Sequence, residues 1–478
     1  MDNALQTELL NWLNSKERDE MLTADKYYSG KHDILTRQRT ALGPGGQLVP
    51  IENLPNHRIV DNQYRLLVDK KANYALGKPF TVSTENEAYS KELLKIFSKR
   101  FYKKFRSLGI NAINQSKCWL HPYYNSSGEL KFKVFKASEV FPIWEDSDHE
   151  TLLGAIRIYP VKVYENGQVK IVTMAEEYTP EGVQRYKYNG RYFCEDGLRQ
   201  AYLSVDEVPY NWGKTPLIEF RYTEDDAPLI RFTKELQDAI NLITSNFVNN
   251  MDEDPRTTIL ILKNYDGENL GEFRRNLATY GVVKVRSMEG MQGGVESLRI
   301  EVNASNYQAV LMQLKRALVE NGRGFDAKEE RMDGDPNQMN IMSMYTDIDI
   351  DTNALEAEFQ QGFEDLLWFI NQHLMRIGKG DFSEDKVEIV FNRDIFVNES
   401  ELIKNCMNSV GIISNETIVA NHPWTVDLQR ELKLLKQQEN EEMEMFSYDK
   451  SGGTGGGEPS TSGAINSAPN EEISEEQE

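Results

Sequence analysis

Residues 232–254, FTKELQDAINLITSNFVNNMDED, and 256–285, RTTILILKNYDGENLGEFRRNLATYGVVKV, carry the pattern on which the reading of the fold turns. In the first string Leu236, Ile240, Ile243 and Phe247 recur at helical spacing, which places them on one face. Asp254-Pro255 ends that helix, because a residue before proline is pushed out of the α region. Thr257 to Lys263 is β-branched and apolar, Asp266-Gly267 supplies a turn, and Gly281 to Val285 reads as another strand before Gly290, Gly293 and Gly294 break the order. A second helix follows, with its cap expected near Asn303 or Ser305 and with Tyr307, Val310, Leu311, Leu314 and Leu318 on its apolar face. The segment 231–324 is therefore a helix, a small β module and a returning helix.

Outward from this segment the chain reads as a mixed α+β body. A helical region is expected at about 4–25 and 62–76, around a Gly/Pro-rich loop at GPGGQLVP, and a further helix near 88–117 leads into strands. Residues 130–222 read as mostly β, from alternation at Phe132, Val134, Phe135, Ile156, Ile158, Tyr186 and Tyr188 and from Asn-Gly turns at 166 and 189. Beyond a polar stretch from Gly322 to Asn340 comes a long helix striped by Leu355, Phe359, Phe363, Leu366, Ile370 and Leu374. From Glu399 the chain reads as helical to Phe446, and past Ser451 as a disordered acidic tail.

Composition narrows the function classes. A chain of 478 residues should form two to four domains. The 54 basic against 76 acidic side chains give a formal charge of -22, the wrong sign for a protein that grips phosphates tightly. Cys118, Cys194 and Cys406 are too few and scattered for a disulfide framework, which suggests synthesis in a reducing cytoplasm. No secretory signal pattern and no apolar run near 18 residues is seen, which disfavours secretion and membrane spanning.

Several residue sets could suggest an enzyme. Asp347, Asp349, Asp351 and Glu358 match positions 1, 3, 5 and 12 of a calcium loop, yet Thr352 stands where the sharp turn needs glycine, which favours a solvated loop capping a helix. Gly77-Lys78 lacks the rest of a phosphate loop, since Ala72 replaces the first glycine and Pro79 the Ser/Thr. Cys118 and His121 have no second pair at zinc spacing, so a packed thiol is expected. The Trp119-to-Tyr124 aromatics read as core, because no basic groove interleaves them. For Arg274, Arg275, Lys284, Arg286, Lys315, Arg316 and Arg323, a solvated face or an ion pair between subunits is expected before a DNA contact.

The helix, β module and returning helix resemble the stem, clip and stem of the portal proteins of tailed bacteriophages, in the family typical of long-tailed phages of Gram-positive hosts. Other strings fall in the same order: YYSGKHDILTRQR (27–39), NHRIVDNQYRLLVDKKANYALGKP (56–79), EVFPIW (139–144), GKTPLIEF (213–220), FNRDIFVNESELI (391–403) and GIISNETIVANHPWTVDLQRELKLLKQQE (411–439). The resemblance implies an α+β portal fold and a ring oligomer. It divides the chain into a wing (1–228), a stem helix (229–253), a clip (254–302), a second stem helix (303–323), a tunnel-loop region (324–352), a long wing helix and strand (353–395), crown helices (396–447) and a disordered acidic tail (448–478).

It further implies a non-enzymatic conduit of about twelve copies at one capsid vertex. Through the ring double-stranded DNA would be packaged and ejected, with no cofactor. The implied partners are the terminase large subunit, scaffolding and major capsid proteins and a head-completion adaptor, but no membrane. The implied location is the virion, after synthesis in the host bacterial cytoplasm. Stem packing falls on Leu236, Ile240, Ile243, Phe247, Val310, Leu311, Leu314 and Leu318, clip docking on Arg274 and Arg275, and the channel loop on Gly334, Asp335, Pro336, Asn337, Gln338 and Asn340. The alternative reading is a cytoplasmic metal-dependent enzyme acting on nucleic acid or phosphate, with Asp347, Asp349, Asp351 and Glu358 as its metal site.

Overall fold

The computed structural model describes residues 1–42, 46–51, 54–165, 167–205, 207–253, 259–263, 294–298, 304–325, 338–393, 399–425 and 431–438. Two compact units are present, residues 1–396 and 397–478. The expectation of an α+β chain holds, with helices and antiparallel sheets in the first unit.

That unit starts with helices α1 (Asn3–Leu13) and α2 (Lys16–Tyr28). They make up the helical region expected at about 4–25, divided where Ser15 caps α2 by accepting from the Arg18 amide. Helix α3 (Gln63–Leu76) begins at Asn62, whose side chain accepts from the Arg65 amide. The helix expected at 88–117 is also two, α4 (Glu87–Ile96) and α5 (Lys99–Gln115). Phe97 turns into the core at 3% exposure and Ser98 is extended, so the chain bends between them.

The β-rich body matches expectation. A five-stranded antiparallel sheet runs in the order Phe193–Glu195, Gly182–Tyr188, Gln168–Thr179, Leu152–Glu165, Val140–Trp144. A three-stranded sheet holds Lys117–Tyr124 between Ile218–Arg221 and Leu130–Lys136. Trp119, His121 and Tyr124 are buried, as their core reading requires, and Cys118 is buried with its thiol donating to the Phe135 carbonyl at 3.1 Å.

Three further helices matter for function: α6 (Ile230–Glu253), α7 (Ala304–Asn321) and α8 (Gln338–Arg376). The expected stripe of α8 is buried throughout, from Leu355 through Phe359, Phe363, Leu366 and Ile370 to Leu374. Phe363 meets Phe80, Phe97, Phe105, Phe220 and Phe391 in an aromatic centre. Gly362 lets α8 lie directly on the strand Ile218–Arg221, since a Cβ there would stand 2.8 Å from the Phe220 ring and 2.9 Å from the Glu219 carbonyl oxygen.

The boundary of this helix differs from the sequence reading. It begins at Gln338 and not near 353, so Gln338 and Asn340 sit in helix and no loop occupies 347–358. Buried Tyr345, Ile348 and Thr352 prolong the stripe that Leu355 continues, with Tyr345 stacked between Tyr74 and Phe325 at centroid distances of 5.5 and 4.3 Å. The alternating aspartates hide this continuity in the sequence.

Within the expected clip, Ile259–Lys263 is a strand as read, paired antiparallel with Gly294–Leu298. Gly294 therefore opens a strand instead of breaking one, while the strand expected at 281–285 lies outside the described residues. In the second unit, α9 (Glu399–Asn408) and α10 (Asn415–Asn421) are helical, as are residues 431–438. Ser414 caps α10 by accepting from the Thr417 amide at 3.3 Å. The expected tail lies outside the described residues.

Candidate functional site

Helices α6 and α7 pack as a pair, and the residues assigned to their seam divide by position along it. Toward the body Ile240 and Leu318 are fully buried, and Leu236, Leu311 and Leu314 lie partly buried against the main core. Toward the other end Phe247 meets Tyr307 with ring centroids 5.0 Å apart, and Asn250 donates to the Tyr307 hydroxyl at 2.9 Å. Ile243 is half-buried, and Val310 remains 42% exposed. Exposure continues around the pair at Phe232 (54%), Met251 (54%) and Met312 (67%). A single chain thus leaves apolar surface along the pair uncovered.

The deepest face of α6 was not foreseen. It consists of Thr233, Gln237, Asn241, Ser245 and Asn249, each no more than 1% exposed. Four-residue spacing places them along one inclined row of the helix. The extended segment 57–61 lies along this row in the opposite direction. The amide of His57 donates to Asn249 Oδ1 at 2.7 Å, that of Ile59 to Ser245 Oγ at 3.0 Å, and that of Asp61 to Asn241 Oδ1 at 3.0 Å. The amide of Tyr64 donates to Gln237 Oε1 at 2.9 Å, and Gln237 returns a bond from Nε2 to the Asp61 carbonyl at 2.7 Å.

The match is metric. Four helical residues rise about 6.0 Å, or about 6.7 Å along a row inclined by about 26°, and two extended residues advance about 6.6 Å. Every second amide therefore meets every fourth side chain.

His32 completes the network. Asn241 Nδ2 donates to His32 Nδ1 at 2.8 Å while its Oδ1 serves the Asp61 amide, which fixes the neutral imidazole with its hydrogen on Nε2, 3.0 Å from the Tyr27 carbonyl. Burial of the ring lowers the His32 pKa, which agrees with that neutral form. Along the rim Lys234 bridges Asp33 at 2.9 Å and Asp238 at 2.7 Å, and Lys315 of α7 reaches Asp61 at 2.7 Å. Lys315 thus makes an ion pair inside the chain, as does Arg316 with Glu320 at 2.8 Å.

The carboxylates of the alternative enzyme reading serve other ends. Asp351 is 4% exposed and pairs with Lys71 at 2.5 Å, while the Tyr222 hydroxyl donates to both its oxygens at 2.8 Å. Burial lowers the Lys71 pKa, and Asp351 acts against that shift. Asp349 is held instead by Arg393 at 2.9 Å and Tyr74 at 2.5 Å, and Asp347 is exposed. One helix sends these side chains to separate partners, and among the described residues no group of three or more His, Cys, Asp or Glu could hold a metal ion. The metal-site alternative is therefore set aside. Among the described residues no helix is long and apolar enough to cross a membrane. Arg274, Arg275, Gly334, Asp335, Pro336 and Asn337 lie outside the described residues, as do the side chains of Gln338 and Asn340.

The polar row on α6 was missed because a polar residue in an amphipathic helix is read by default as facing water. Its signal was present as Thr, Gln, Asn, Ser and Asn at strict four-residue spacing.

Comparisons with known proteins fit the helix pair and its flanks. Residues 13–445 match the family model described as phage portal protein, SPP1 Gp6-like. A portal protein of Bacillus phage SPP1 is 27% identical over 447 residues, spanning 92% of this chain and 87% of that protein. A portal protein of Clostridium phage phiCD119 is 27% identical over 448 residues, spanning 91% of this chain and 96% of that protein. With the family match extending from α1 past α10, the chain belongs to the SPP1 Gp6-like family of phage portal proteins, which are structural and non-enzymatic parts of the phage.

Proposed function

We propose that the chain assembles into a ring of about twelve copies at one capsid vertex and serves as the conduit for double-stranded DNA during packaging and ejection. The observation that carries this reading is the α6–α7 pair, anchored at its base and apolar where Phe232, Met251, Val310 and Met312 stay exposed. Neighbouring copies would cover that surface, each fully buried large side chain contributing roughly 1.5–3 kcal/mol. A formal charge of -22 suits a wall along which DNA must slide, because like charge releases no counterions and adds no salt-dependent grip. In this reading α6 and α7 are the stem, and 254–302 with Arg274 and Arg275 is the clip that meets the terminase large subunit and later the head-completion adaptor. Scaffolding and major capsid proteins contact the body, the virion is the final location, and the host bacterial cytoplasm is the place of synthesis. The channel constriction lies near Gly334 to Asn340, with the first turns of α8 as its helical side.

Negative-stain imaging of the purified chain tests the ring directly. Wild type should show rings, and Ile243→Asp, which sets a charge in the half-buried seam, should yield subunits with an intact wing and few rings. Unaltered rings from that variant would reject α6 as an assembly element. A species of one or two chains at every concentration would reject the ring.

A further inference from the structure

A cavity of about 240 Å³ lies between the middle of α8, the paired strands Lys117–Tyr124 and Ile218–Arg221, and the turn that joins Val140–Trp144 to Leu152–Glu165. It is smaller than the roughly 300–1,000 Å³ of pockets that enclose a whole drug-sized ligand, so it suits one side chain with its peptide group. Trp119 and Glu219 stand directly opposite each other on the two strands and therefore share a face, and both line this cavity. Trp119 is 1% exposed, and its Nε1–H finds no acceptor among the described residues. Glu219 Oε1 is likewise enclosed without a hydrogen bond among them; Lys117 Nζ stands 3.4 Å away, an ionic contact without hydrogen-bond geometry. An unmet donor and an unmet acceptor thus adjoin in one cavity. A group that accepts from the first and donates to the second, as a peptide unit does, would satisfy both.

The rest of the lining adds negative charge and aromatic surface. Asp148, Glu150, Glu358 and Asp365 join Glu219. The cationic side chains of the wall are turned to other partners, Arg221 to Asp226 at 3.3 Å and the Glu224 carbonyl at 3.1 Å, and Lys214 to the Trp368 ring at 4.8 Å. Burial raises the pKa of Glu219 and of Glu358 against the opposing pull of Lys117 and Arg221, so a further cation would relieve both carboxyls. Trp144 lies beside Trp119 with ring centroids 6.2 Å apart, and His149 stacks on Trp144 at 5.0 Å. A planar guanidinium suits such walls better than an ammonium, because it stacks on aromatic faces and meets a carboxylate through two parallel N–H groups.

We propose that this cavity receives an arginine residue of a partner polypeptide, with its peptide unit between Trp119 Nε1 and Glu219 Oε1 and its guanidinium at Glu358 and Asp365. With the chain at -22, charge complementarity favours a basic partner over a further copy of this chain. The inference does not rest on the ring, since all of these groups lie within one chain.

The test is saturation-transfer difference NMR on the full-length chain, with N-acetyl-L-arginine methylamide as the probe. The control is the citrulline analogue, in which neutral urea replaces the guanidinium. A saturable arginine signal is expected, with the citrulline analogue weaker by about tenfold or more, the scale of one charge-assisted hydrogen bond. Glu358→Gln keeps the shape of a half-buried side chain, so it should retain the wild-type thermal unfolding and weaken binding by a similar factor. Glu364→Gln removes an equal charge from α8 outside the cavity and should leave binding unchanged; an equal loss there would reduce the effect to overall charge and overturn the site. Trp119→Phe deletes the indole N–H and should also weaken binding, and because that ring is core, Glu358→Gln carries the test if this variant does not fold. Binding by wild-type rings and by dispersed Ile243→Asp subunits alike supports a separate partner, whereas binding by the subunits alone would assign the cavity to a neighbouring copy and overturn that partner. No saturable binding, equal binding of the two compounds, or unchanged binding by a folded Glu358→Gln overturns the proposal and leaves a cavity that only solvent fills.

Discussion

Replacing Asn241 with alanine probes whether the polar row on α6 holds the segment 57–61 in place. The side chain serves three groups: it accepts from the Asp61 amide at 3.0 Å and from Gln237 Nε2 at 3.1 Å, and it donates to His32 Nδ1 at 2.8 Å. Gln237 Nε2 keeps its bond to the Asp61 carbonyl but loses the acceptor of its second hydrogen, so three groups lose a partner: that buried amide, the His32 nitrogen, on a ring 1% exposed, and the partly buried Asp61 amide. At about 1–3 kcal/mol for a fully buried orphan and less where water can enter, the loss is about 2–4 kcal/mol. That is a large share of the roughly 5–15 kcal/mol that holds a typical domain folded. Hydrogen exchange followed by mass spectrometry on peptides covering 56–64 reads the effect locally. Exchange should accelerate about 30-fold or more, since each 1.4 kcal/mol is about a factor of ten, while peptides from the five-stranded sheet stay unchanged. Leu242→Ala, on the neighbouring exposed position, is the control and should leave 56–64 alone. Equal protection of 56–64 in wild type and Asn241→Ala would show that the ladder contributes nothing to holding this segment.

Three further outcomes follow from the body. Gly362→Ala improves helix propensity, yet its Cβ would press on the Phe220 ring and the Glu219 carbonyl oxygen, so urea denaturation should show a net loss of about 1–3 kcal/mol; a gain would mean that α8 does not lie so close to the strand. Burial holds His121 and His373 near 4, and unfolding returns them to about 6.5, so the unfolded chain binds the extra protons and stability falls as pH drops through this window. At pH 5 the loss is about 2 kcal/mol for each ring, and His121→Gln should flatten the fall by that amount; an unchanged slope would refute the assignment. Burial raises the Cys118 thiol far above its usual range, so a thiol reagent should modify exposed Cys194 in the native chain and reach Cys118 only after unfolding, which mass mapping of the labelled peptides checks.

Legibility in the sequence followed the kind of signal each residue leaves. The α8 stripe was readable because burial of Leu355, Phe359 and Phe363 repeats at the helical period. The start of α8 was not, because Asp349 and Asp351 look solvated until their partners Arg393 and Lys71, distant in sequence, are brought to them. The break at Phe97-Ser98 was missed for another reason: Phe97 is buried in the core, so the apolar pattern runs on through the bend at extended Ser98. For the candidate site, the apolar half of α6 was visible and the polar half was not. Periodicity reveals which residues share a face, but only the amides of the segment 57–61 reveal that this face is covered.

That division has a consequence for the helix that the proposed ring must orient. An apolar seam tolerates sliding, because a displaced Leu or Ile still finds apolar neighbours, and it fixes rotation of a helix about its axis only loosely. The ladder of Asn249, Ser245 and Asn241 tolerates no such slip: moving 57–61 by one residue would turn the amides of His57, Ile59 and Asp61 away and bring those of Arg58 and Val60 in their place. Moving α6 by one residue would rotate the row by about 100° and strand every acceptor. Hydrogen bonds contribute modestly to stability when made and cost more when broken, so the ladder selects one azimuth for α6 more strongly than it stabilises the fold. With that azimuth set inside each chain, Phe232, Met251 and their neighbours on α6 are presented in a fixed direction, and neighbouring copies in the ring need not spend binding energy on ordering the helix they meet.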